Sequence, residues 1–160
     1  MSGLKEKAIS LINLEKLDYT FKHPPLLVSG VAMMYHGLRE SNKDIDMILP
    51  REDHKMLTNK LKPQAKVLQE PHQVGYKETP EFVNLFGDHG ILIYEYELWD
   101  SIMLFDYDEL KEGAIGEDGY LVISLEKLLF LSTIRGTVKE RYLDDALLIA
   151  NKISDEKYTS

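Results

Sequence analysis

Two aspartates, Asp44 and Asp46, stand in "KDIDMIL", a run that is otherwise apolar after its lysine. Strand side chains alternate, so both carboxylates share one face while Ile45 and Met47 share the other. Two carboxylates a few ångströms apart repel, and both stay ionised only with a cation between them. All-oxygen ligation suits Mg²⁺, which takes few protein ligands and completes its shell with water and phosphate. Paired ions held this way align the attacking and leaving oxygens of phosphoryl transfer. Upstream, Ser29-Gly30 is a small-residue turn ahead of a short helical stretch, where backbone N–H groups are open to a phosphate. Between the two lies "RESNK", with Arg39, Ser41 and Lys43. Arg forks onto phosphate oxygens and Lys offers a point charge. Each of the three is equally compatible with a solvated loop.

These residues need elements to hold them. Residues 3–18 read as an amphipathic helix with Leu4, Ala8, Leu11 and Ile12 inward. "HPP" at 23–25 bars a helix, and Leu26–Val28 follows as a short buried strand. Ser29-Gly30 turns out of it, Val31 to His36 suits a helix, and Gly37 stops it. Residues 39–43 form a polar loop, 44–49 a second strand ended by Pro50, and 51–62 a helix with Met56, Leu57 and Leu61 inward. Ala65–Gln69 reads as a strand and 71–80 as a loop. "EFVNLF" and "ILIYEYELW" flank "GDHG" as a β-hairpin. "YLVIS" (120–124) is a further strand. Helices follow at 125–134, capped by Ser124, and at 139–153, with a break near Gly136.

The whole is α/β (α+β): a short mixed sheet, flanking helices and a C-terminal helical pair. One domain spans 1–160, with a core at about 20–124 and the C-terminal helices at about 125–154. The 160 residues are 44% hydrophobic and 29% charged and include no cysteine, which excludes disulfides and thiol chemistry. A net charge of −8 argues against non-specific nucleic-acid coating. The start, "MSGLKEKAISLINLEKL", is interrupted by charge and does not read as a signal peptide. No apolar run is long enough for a bilayer. The expectation is a cytoplasmic protein with no membrane partner. There is no P-loop, dinucleotide-binding glycine motif, G-x-S-x-G or H-E-x-x-H.

The stretch "LVSGVA…HGLRESNKDIDMIL" resembles the nucleotidyltransferase superfamily, whose fold is the polymerase-β-like one. Its signature is a strand, a Gly-Gly or Gly-Ser turn, a helix, then an Asp-x-Asp strand. Thirteen residues separate Gly30 from Asp44, and Ser29 stands where the first Gly usually does. The resemblance covers residues 26–49. It is similar to the "R-S/T-x-D-I-D" run of minimal bacterial nucleotidyltransferases and of toxins in toxin–antitoxin pairs.

The resemblance implies an enzyme: a metal-dependent transferase moving a nucleoside monophosphate from an NTP, ATP first, to an acceptor hydroxyl, releasing pyrophosphate. Asp44 and Asp46 would hold two Mg²⁺ ions. A third carboxylate is implied on a later strand. Glu97 is first choice, Glu95, expected on the same face, second, and Asp100 third. Ser29, Gly30, Arg39, Ser41 and Lys43 would bind the nucleotide. The acceptor is left open among tRNA, a protein and a small molecule, and the toxin reading adds a cognate antitoxin as partner. The alternative is a degenerate nucleotidyltransferase fold serving as a nucleotide-binding or protein-interaction module.

Other residues read as structural. Arg135, Lys139 and Arg141 lie around the helical break, where a basic group could meet the triphosphate or an acceptor; the favoured reading is a helix pair with surface ion pairs, such as Arg141 with Asp145 at i,i+4. His36 reads as a surface residue capping its helix, and Trp99 and the tyrosines as core.

Overall fold

The computed structural model describes residues 2–41, 44–69, 88–136 and 139–159. Lys43, the loop at 71–80 and the expected strand "EFVNLF" lie outside the described residues. The architecture is mixed α/β. Helix α1 (Ser2–Leu11) leads to a 3₁₀ turn at Leu14–Leu17, then β1 (Leu26–Val28), α2 (Ser29–Tyr35), β2 (Ile45–Ile48), α3 (Arg51–Lys60) and β3 (Lys66–Gln69). After these come β4 (Gly90–Ile93), β5 (Tyr96–Trp99), a small ribbon of β6 (Ser101–Ile102) and β7 (Phe105–Asp106), and α4 (Tyr107–Leu110). Strands β8 (Ile115–Gly116) and β9 (Leu121–Val122) precede the helical pair α5 (Leu125–Arg135) and α6 (Arg141–Thr159).

The main sheet runs β3-β4-β5-β2-β1-β9-β8. It is mixed: β2 is antiparallel to β1 and parallel to β5, while β1 is parallel to β9. Its centre is buried on both faces, since Leu26, Leu27, Val28, Met47, Ile48, Tyr96 and Leu98 are all fully enclosed. Asp46 is therefore the polar exception in a dry strand.

Helix α2 begins at Ser29, so Ser29-Gly30 is its first turn rather than a separate turn before it. It ends in a Schellman motif: Gly37 at φ +77 donates to Met34 O (2.9 Å), and Leu38 donates to Met33 O (3.0 Å). The expected helix at 3–18 is broken in two. Asn13 leaves helical geometry, and its N–H donates to Tyr96 Oη at 2.7 Å, a bond that ties the segment to the sheet. Asp53, almost fully buried, accepts from Tyr19 Oη (2.7 Å) and from the backbone of Lys22 and His23, pinning residues 19–23 to α3. Met56 is exposed rather than inward, and Leu57 carries the inner face of α3.

"ILIYEYELW" is itself the hairpin. Strands β4 and β5 pair antiparallel from Gly90↔Trp99 to Ile93↔Tyr96, leaving Tyr94-Glu95 as its two-residue turn. Trp99 lies across Gly90, where any Cβ would collide with the indole. Ser124 caps α5 as expected, accepting from Lys127 N at 3.1 Å. His36 is buried, with Nε2 2.8 Å from Ile123 O, so it anchors α2 to the end of β9 instead of facing solvent. Among the described residues no helix is long and apolar enough to cross a membrane.

Candidate functional site

Strand β2 brings Asp46 into register with Val28 of β1 on one side and Glu97 of β5 on the other. Ile45 and Met47 pair with Tyr96 and Leu98, so the opposite face is apolar and the carboxyls stay together. Asp44, just before β2, is exposed at the mouth of the site. Glu97 in its protonated form is within hydrogen-bond reach of both Asp44 and Asp46, and its single O–H can serve either. Burial comes first in holding its proton to about pH 8, and the charges of Asp46 and Asp44 follow. Burial likewise raises Asp46, to about 6, against the opposing pull of the Arg135 guanidinium and hydrogen bonds from Glu97 and Ser29.

The site's second wall is the Ser29-Gly30 turn at the start of α2. Ser29 has φ +59, an unusual backbone state for a residue with a Cβ. Arg135, at the last turn of α5, donates from Nη1 to Ser29 Oγ at 3.0 Å. One cation thus touches the turn and offsets the charge of the aspartate beside it. Gly30 is set against Ser41: a Cβ on Gly30 would lie 2.5 Å from Ser41 Oγ. Ser41 is buried there and lines the cleft with Ser29 and Gly30.

The cleft has two compartments. The larger, about 580 Å³, runs from Ser29, Gly30, Asp44 and Asp46 past Arg135, Arg141 and Tyr142 to an apolar wall of Met33, Leu128, Leu131 and Leu148. The smaller, about 160 Å³, holds Glu97 and Trp99 with Asp44, Asp46, Ser29, Arg135, Arg141 and Tyr142.

Arg39 is committed elsewhere. Its Nε and Nη2 fork onto Asp145 of α6 at 2.7 and 2.9 Å, and Nη1 donates to Glu40 O. This takes the acceptor expected for Arg141. Arg141 stacks instead on Tyr142, its guanidinium 5.1 Å from the ring centre, and Arg135 lies 5.4 Å from the same ring. Glu95 sits in the hairpin turn, bound to Lys16 at 2.8 Å, and not on the face of Glu97. Asp100 accepts from His89 N at 2.8 Å and from Ser101, away from the cluster. Of the candidate third carboxylates, only Glu97 meets the aspartates.

From sequence, Arg135 and Arg141 could meet a triphosphate but read as structural, and Tyr142 reads as core. The signal was present, because three such groups flank a glycine-marked helical break, but their approach to β2 is a tertiary fact. Among the described residues no group of three His, Asp or Glu side chains is placed to hold a metal ion, the cluster of Asp44, Asp46 and Glu97 included. The donor set is nonetheless all oxygen, and its proton-sharing repulsion is what a divalent cation relieves, so the residues fit Mg²⁺. Protein-family models, curated proteins and solved structures were all compared with the chain, and none matches it.

Proposed function

We propose that the chain is a nucleotidyltransferase of the polymerase-β-like fold, moving a nucleoside monophosphate from an NTP, ATP first, to an acceptor hydroxyl and releasing pyrophosphate. The observation that carries this reading is the register Asp46↔Glu97, which joins the Asp-x-Asp strand to a third acid beside a small-residue turn and an arginine. The order strand, small turn, helix, Asp-x-Asp strand supports the fold assignment, as does the resemblance of residues 26–49.

Mg²⁺, held by Asp44, Asp46 and Glu97, would neutralise phosphate charge and align the reacting oxygens. The chain's own groups do the rest. The N–H groups of the Ser29-Gly30 turn meet the outer phosphates. Arg135, released from Ser29 Oγ, turns its fork to phosphate oxygens and stabilises the charge that gathers on the leaving pyrophosphate. Glu97 in its ionised form takes the acceptor's proton. The apolar wall of Leu128, Leu131 and Leu148 excludes water from one side of the donor. Because Arg39 is forked onto Asp145, its part is to hold α6 against the loop before β2.

The test is transfer of label from α-phosphate-labelled ATP, with Mg²⁺, into tRNA, protein or small-molecule fractions, matched by pyrophosphate release. Label transfer lost in Asp46→Asn supports the reading. Binding of Mg²⁺·NTP with no turnover on any acceptor favours the degenerate module, for which the Arg135–Ser29 bond across the turn is the specific motive.

A further inference from the structure

We infer that Tyr142 is itself an acceptor of the transfer, so that the chain nucleotidylates its own α6; this rests on the function proposed above. Of the hydroxyls lining the cleft, Ser41 and Ser132 are buried in the larger compartment only. Ser29 lines both compartments but belongs to the turn that receives the outer phosphates, and its Oγ is bonded to Arg135. Tyr142 also lines both compartments, and Arg135, bonded to Ser29, lies 5.4 Å from its ring centre. A triphosphate laid on the turn would therefore share its cavity with Tyr142, together with Asp44, Asp46 and Glu97.

The local structure holds the phenol in place. Its backbone N–H donates to Lys139 O at 3.1 Å in the first turn of α6. The next residue, Leu143, is seated on Gly136 so closely that any Cβ there would collide, which fixes this turn against the end of α5. Arg141 Nη2 donates to Tyr142 Oη at 3.3 Å, leaving the oxygen's lone pairs only partly engaged. Two guanidiniums flank the ring, where they would meet the phosphates of an incoming donor.

In the step, Tyr142 Oη forms a bond to the α-phosphorus of the NTP. The bond from that phosphorus to the oxygen bridging to the β-phosphate breaks, and pyrophosphate leaves with the electron pair. The phenolic proton passes to Glu97 in its ionised form, which lines the same compartment. The product is a phosphodiester between Tyr142 and the nucleoside, with no change of oxidation state.

The full-length chain is incubated with Mg²⁺ and each of the four NTPs, and then measured by intact mass, peptide mapping and thermal shift. The expected result is a mass gain of one nucleoside monophosphate, mapped to Tyr142, with one pyrophosphate released per adduct and no gain in Tyr142→Phe. A Mg²⁺·NTP thermal shift without adduct, or an adduct on Ser29 or any other residue, overturns the inference and leaves the proposed function standing. Absence of both the shift and the adduct overturns both. Because mapping on the unmutated chain locates the adduct, the result does not depend on Tyr142→Phe folding.

Discussion

Asp46 and Glu97 face each other across the parallel strands β2 and β5, and both keep their protons well above the ordinary carboxylate range. That pairing has a cost in a dry sheet. The folded chain binds more protons than the unfolded one between about pH 4 and the value near 8 to which Glu97 is pushed, so stability falls as pH rises through that window. His36 and His54, both lowered chiefly by burial, act with the opposite sign but only below about pH 6.5. From about pH 6.5 to 8.5 in EDTA, calorimetry should show a falling Tm, and Glu97→Gln should flatten the slope. A flat unmutated profile would mean that the two carboxyls do not share a proton.

Ser29 occupies the left-handed region at φ +59, which costs an L-residue roughly 1–2 kcal/mol. Ser29→Ala keeps the strain and loses the bond from Arg135, whereas Ser29→Gly loses the bond and relieves the strain. The glycine variant should be more stable than the alanine variant by about 1 kcal/mol in urea unfolding. Equal stabilities would show that the turn is unstrained.

Arg39 and Arg135 should separate by role. Asp145→Ala strips Arg39 of a bidentate partner whose side chain is only 13% exposed, and should cost about 1–2 kcal/mol after allowing for the partly exposed arginine. Arg39→Ala should destabilise similarly while NTP affinity changes little. Arg135→Ala should weaken Mg²⁺·NTP binding about tenfold or more, equivalent to about 1.4 kcal/mol. The reverse ranking, read by calorimetric titration, would return Arg39 to the nucleotide.

What the sequence makes legible follows from periodicity. The apolar setting of Asp44 and Asp46 marks a strand with one polar face, and Ser29-Gly30 after Leu26–Val28 marks a strand-to-helix junction. The strand and the junction are there, although Asp44 falls just before β2 and Ser29-Gly30 is already inside α2. "YEYEL" is different. Its alternation is the same whether the chain runs straight or turns, and the turn at Tyr94-Glu95 uses Tyr94 at φ +56 in place of glycine or asparagine. Hence Glu95 leaves the face of Glu97 with no local signal. Asn13 and Tyr96 are 83 residues apart, and Arg39 and Asp145 are 106 apart. Such bonds override local patterns: the first splits a helix that 3.6-residue periodicity favours, and the second outcompetes the i,i+4 pair of Arg141 with Asp145. Strands β8 and β9, two residues each, are too short for any period to announce their limits.

Whether Asp44, Asp46 and Glu97 form a Mg²⁺·NTP site is decided by thermal shift on the unmutated chain and Asp46→Asn. Mg²⁺ with NTP should raise Tm more than either alone, by about 5–10 °C at a hundredfold excess over Kd. Asp46→Asn, measured in EDTA, should be as stable as the unmutated chain or more so, because a buried charge and its repulsion from Asp44 are gone. The same variant should lose the Mg²⁺·NTP shift. A variant clearly destabilised in EDTA that keeps the full ligand shift would contradict the account and make Asp46 a structural residue.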